Sequence, residues 1–110
     1  MDKVTLYKKE LPNITISMEL YFNEKGQLIF DGYDSGKSVE NALGDSDYEY
    51  DYTIEPIEVE KLYSLFQIGA GDESGLLQAI KVRFEGNEAY SIFGKFLDEH
   101  KIEYVSFSWI

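Results

Sequence analysis

Carboxylates recur at every second position through the middle of this chain. Asp45, Asp47, Glu49, Asp51 and Glu55 share one parity with Thr53, while Tyr48, Tyr50, Tyr52 and Ile54 occupy the other. A period of two is that of a β-strand, so the stretch reads as a strand with an acidic face and a tyrosine face. Acids on alternate strand positions sit about 7 Å apart on one side, a spacing that can hold a hard cation loosely. Asp45-x-Asp47-x-Glu49 opens like a calcium loop. The glycine required at the sixth position is Tyr50, and the twelfth position is Pro56, so the pattern fails. Three readings stay open: a solvated face that discourages sheet aggregation, a protein-binding surface, or a weak metal site.

Other chemistry-bearing residues are sparse. Gly32-Tyr33-Asp34-Ser35-Gly36-Lys37-Ser38 has the outline of a phosphate loop but is one residue too short, and it lies in acidic surroundings that repel phosphate. His100 is the single histidine and cysteine is absent, which removes the common zinc sites. His100 falls near a helix end, where a cation suits the helix dipole. No G-x-S-x-G elbow marks a nucleophile, and nothing singles out a carboxylate pair for glycoside chemistry. No catalytic residue, cofactor or metal is therefore expected.

Net charge is −11 over 110 residues. Residues 31–60 hold ten acids against one base, Lys37. Nucleic acids and anionic membranes both require a basic surface, so they are excluded as expected partners; a basic protein is favoured. Tyrosine joins a large rigid area to a polar tip, which suits an interface. The expected partner-binding residues are Asp45, Asp47, Glu49 and Asp51 for charge, with Tyr48, Tyr50 and Tyr33 as anchors and Asp34 beside them. The absence of cysteine fits a reducing compartment. With no apolar leader at the N-terminus and no long apolar run, the expected location is the cytoplasm.

These residues need elements to position them. At 110 residues, 44% apolar and 15% aromatic, the chain can bury one core and reads as a single domain, 1–110. Val4 to Lys8 and Asn13 to Phe22 alternate as strands. Asn23 to Gly26 turns into Gln27 to Phe30, and Asp31 to Gly36 reads as a loop. Lys37 to Leu43 is a candidate short helix. After the acidic strand, Pro56 opens a helix that Gly69 ends. Asp72 or Ser74 caps the next, and Asn87 caps a third. Ile102 to Ile110 alternates again. Strands followed by helices and a closing strand predict an α+β fold: a mostly antiparallel sheet of about five strands, two to three helices on one face, and a C-terminal strand that returns to the sheet. Monomer and homodimer both remain open.

Three stretches also carry a resemblance. Gly36-x-x-Val39-Glu40-x-x-x-Gly44-Asp45-x-Asp47-Tyr48-Glu49-Tyr50, then Leu76-Leu77 with Arg83-Phe84-x-Gly86, then Ile102-x-x-x-x-Phe107-x-Trp109 together resemble a group of small acidic bacterial proteins, most of them uncharacterised. The similarity runs from about Leu28 to the end. That group has no assigned catalytic residues, so none carries over. Small acidic α+β proteins of this kind include immunity proteins that neutralise toxins. The resemblance thus implies a non-enzymatic, immunity-type inhibitor of a basic partner; a small-molecule or cation-binding domain is the alternative.

Overall fold

A computed structural model describes residues 2–43 and 47–109. In chain order the elements are β1 (Lys3–Leu11), β2 (Ile14–Phe22), β3 (Leu28–Ser35), α1 (Lys37–Leu43), β4 (Asp47–Ile54), α2 (Pro56–Phe66), α3 (Glu73–Phe84), α4 (Ala89–Glu99) and β5 (Val105–Trp109). The five strands form one open sheet in the order β1-β2-β3-β4-β5, every neighbouring pair antiparallel. The α+β architecture follows the sequence expectation. Among the described residues the helices number four, because the short Lys37–Leu43 segment is helical as well.

Period-two patterning makes the sheet two-faced. Met18, Leu20 and Phe22 of β2, Leu28 and Phe30 of β3, and Tyr50, Tyr52 and Ile54 of β4 are buried on one face. Helix side chains close over them: Val59 and Leu62 from α2, Leu76, Leu77 and Ile80 from α3, and Phe93 and Leu97 from α4. Phe30 stacks on Phe93 at 5.9 Å and meets Tyr90 edge-on at 5.4 Å. Complete burial of each such ring contributes about 1.5–3 kcal/mol. In β1 a register shift between Thr5 and Tyr7 leaves the Leu6 carbonyl free to accept from the Gly86 amide at 2.9 Å. That bond ties the edge strand to the turn between α3 and α4.

Several boundaries differ from expectation, each for a local reason. Asp31 to Ser35 is strand, not loop. Gly32 is paired opposite Tyr50, and the chain leaves the strand only at Gly36, where φ is +117°. Helix α2 stops at Gln67, in the left-handed region at φ 57°, before Gly69 is reached. Asp72 caps α3 as expected, its side chain accepting from the Gly75 amide at 3.0 Å. Asn87 does not cap α4; the cap position is Glu88, without a side-chain bond. Among the described residues no helix is long and apolar enough to cross a membrane.

Candidate functional site

Strand β4 separates the expected site residues by parity. Asp47, Glu49 and Asp51 point to the helix-free face, and Tyr48, Tyr50 and Tyr52 to the helix-covered one. Asp45 lies outside the described residues. Tyr33 joins the acids, exposed, with its hydroxyl donating to Asp47 Oδ1 at 2.9 Å. Tyr50 is only 4% exposed and is part of the core, and Tyr48 packs half-buried against it. Neither offers a partner the free surface that Tyr33 does.

On the open face the antiparallel register lines carboxylates up across strands. Glu19 pairs with Asp31, Asp31 with Asp51, and Asp51 with Phe107 of the edge strand. The next row reads Ser17, Tyr33, Glu49 and Trp109. Directly opposed residues lie about 5 Å apart, and like charges there destabilise the sheet. Partial burial, then Asp51, Glu19 and Glu49, push the Asp31 carboxyl above its ordinary range. Burial also raises Asp51, offset in part by the Phe107 amide and reinforced by Glu49. Asp51 Oδ1 is buried with no hydrogen-bond partner among the described residues. Lys3 reaches Glu19 at 3.4 Å, an exposed pair that offsets little of this repulsion. No group of three or more acids or histidines among the described residues is placed to hold a metal.

Apolar side chains flank the acids. Val105, Phe107 and Trp109 form the uncovered parity of β5, with Phe107 62% and Trp109 48% exposed. β5 carries no charged side chain, whereas the opposite edge strand carries Lys3, Lys8, Lys9 and Glu10. The alternation of the last segment predicts a strand that returns to the sheet, and the structure adds that it does so at the edge beside β4; Glu19 and Asp31 went unread, because their place in the row exists only through strand pairing.

The covered face holds a second cluster. Asp34, Tyr48 and Tyr50 meet Met18, Asn87, Tyr90 and Ser91 around a cavity of about 170 Å³. The Tyr50 hydroxyl donates to Asp34 Oδ1 at 2.6 Å. Burial, and next the Asp34 carboxylate, drive the Tyr50 phenol far upward, so it stays protonated and donating. Gly32 permits this arrangement: a Cβ there would stand 1.9 Å from Tyr50 Cε2, so the ring lies flat across the glycine to reach Asp34. Gly94 does the same for Tyr52, whose hydroxyl lies 2.0 Å from where a Cβ would be and donates to the Tyr90 carbonyl at 3.0 Å.

A larger groove of about 510 Å³ runs between the start of β5 and helices α2 and α4. Glu58 and Asp98 among its carboxylates are already engaged. Glu58 Oε1 accepts from Lys61 Nζ at 2.8 Å and from the Glu103 amide at 2.7 Å, and Asp98 Oδ1 accepts from the Tyr104 hydroxyl at 2.7 Å. These bonds clasp the helical layer to the approach of β5.

No protein-family model, curated protein or solved structure matches this chain.

Proposed function

We propose that this chain is a non-enzymatic binding module whose open sheet face docks a basic protein, in the manner of an immunity-type inhibitor. The observation that carries this reading is the row Glu19–Asp31–Asp51, bordered by exposed Tyr33, Phe107 and Trp109. Opposed carboxylates cost the free fold stability, and a cationic partner would relieve that cost on binding. The acids steer the encounter and exclude anionic competitors. The exposed rings supply the anchoring area that charge alone lacks. Tyr33, Phe107 and Trp109 take the anchor role, because Tyr48 and Tyr50 face the helices. The absence of cysteine suits action in the cytoplasm.

The test is capture at low salt by wild type and by a variant carrying Glu19→Gln, Asp31→Asn, Glu49→Gln and Asp51→Asn. The variant removes repulsion and should fold at least as well. Expected is one basic protein held near one-to-one by wild type and lost by the variant, with an association rate that falls about tenfold or more from low to high salt. Equal capture by both proteins, or association indifferent to salt, refutes the reading.

A further inference from the structure

We infer that the cavity between β3, β4 and the start of α4 is a binding site for an alkylammonium group, with Asp34 as its counter-ion and the rings of Tyr48, Tyr50 and Tyr90 as its walls. The site is independent of the open acidic face, since Asp34 and these rings lie on the opposite side of the sheet.

Four observations select this ligand class. First, the three rings stand at different angles: Tyr48 and Tyr50 at 5.3 Å and 36°, Tyr50 and Tyr90 at 4.8 Å and 71°. Rings so inclined line the cavity from different directions; one face of Tyr50 lies on Gly32 and one of Tyr90 on Tyr52, and a ring face left toward the cavity attracts a cation within about 6 Å. Second, Asp34 gives the cavity one negative charge. No lysine or arginine is paired with it among the described residues, and its only hydrogen-bonded side chain is Tyr50. Burial pushes its carboxyl up and the Tyr50 hydroxyl draws it back, with no neighbouring cation contributing. An anion is therefore repelled, and an organic cation replaces the missing counter-charge. Third, a single carboxylate among aromatic rings is a poor site for calcium or magnesium, which demand six or more oxygen ligands. A soft, weakly hydrated alkylammonium is content with ring faces and one charge. Fourth, a volume of about 170 Å³ falls below the roughly 300–1,000 Å³ of pockets that enclose a whole drug-sized ligand. It accommodates a head group or the end of a lysine side chain, the remainder lying outside. Asn87 and Ser91 line the same cavity and add neutral oxygens for the N–H donors of a primary amine.

The cavity is formed in advance. Tyr50 lies across Gly32 and is bonded to Asp34, and the Tyr90 ring stacks on Tyr52 at 4.1 Å and 8°. A ligand need not order these rings to bind, which removes one cost of association.

The experiment is an NMR titration of the ¹⁵N-labelled chain with choline chloride, with Nα-acetyl-lysine amide, and with 3,3-dimethylbutan-1-ol, the neutral isostere of choline, at constant ionic strength. Expected are saturable shifts of the Asp34, Tyr48 and Tyr90 amides by one or both cations, with Kd on the order of millimolar. The isostere should bind at least about tenfold more weakly, the factor that a cation–π pair and a counter-charge together supply. Saturation by choline alone identifies a quaternary head group; saturation by the lysine amide alone identifies a primary amine. Asp34→Asn keeps the shape and should weaken the cation about tenfold while leaving the isostere unchanged. Tyr48→Leu, at a half-buried position, is the second variant. Neutralising Glu19 and Asp31 should leave choline binding unaltered, so failure here and failure of the docking reading are separable. Equal affinity for choline and its isostere, indifference to Asp34→Asn, shifts confined to the Glu19–Asp31–Asp51 row, or no saturable shift would each overturn the inference.

Discussion

Gly32→Ala is the most searching single substitution in this fold. Its backbone is ordinary strand, so a methyl group meets no conformational penalty of its own. The methyl carbon would instead lie 1.9, 2.4 and 2.5 Å from three carbons of the Tyr50 ring. Carbon contacts settle at about 3.5–4.0 Å, so the ring must recede by about 1.5–2 Å. Tyr48 at 5.3 Å and Tyr90 at 4.8 Å stand in the way. Overpacking of this kind costs about 1–3 kcal/mol. A displaced ring also surrenders its 2.6 Å bond to Asp34. A bond to a charged acceptor is worth about 1.5–3 kcal/mol, which we reduce to about 1 because water can reach the half-buried Asp34. Replacing a strand glycine returns about 0.5–1 kcal/mol. The net expectation is a loss of about 1–3.5 kcal/mol, or a melting temperature lower by about 4–15 °C. Urea unfolding followed by tyrosine near-ultraviolet circular dichroism reads it, since Trp109 is too exposed to report on the core. In a Tyr50→Ala background the three ring atoms that the methyl would meet are gone, and the substitution should be neutral or stabilising. If Gly32→Ala lies within about 0.5 kcal/mol of wild type in the native background, the ring does not lie across Gly32 and the pre-formed cavity is wrong.

Two further outcomes follow from the open face and the core. Asp31 and Asp51 have folded-state pKa values raised above their ordinary ones, chiefly by burial. Their charged forms weaken the fold above the raised values, so stability should increase as pH falls through them toward the ordinary carboxylate range. Asp51→Asn should stabilise the protein at pH 7 and flatten that part of the profile, as urea midpoints at stepped pH will show; an unchanged slope refutes the assignment. The aromatic residues should divide by face. Phe93→Ala, fully buried, costs about 3–5 kcal/mol. Phe107→Ala, largely exposed, costs less than about 1 kcal/mol. A comparable loss at both positions would place β5 against a covering layer that the fold does not have.

Local patterning accounts for most of the elements and for their two-sidedness, the Asp31–Ser35 half of β3 excepted. Alternation in Ile14–Phe22 and Asp47–Ile54 and the helical spacing after Pro56 are local signals, set by side-chain geometry along one segment. Charge was equally legible, because it is additive and needs no fold. The rest depends on which strands are neighbours. The acids of β4 were visible as a run, but their opposition to Asp31 and Glu19 is a product of antiparallel register. Gly32 sat in a stretch with loop composition, and the reason it is strand is a tyrosine eighteen residues away. Val105, Phe107 and Trp109 form an apolar parity, yet β5 is an edge strand and, among the described residues, no helix lies over that face. Periodicity states that two faces differ. Which face is covered is settled by where the helices pack, and no local pattern in β5 carries that information.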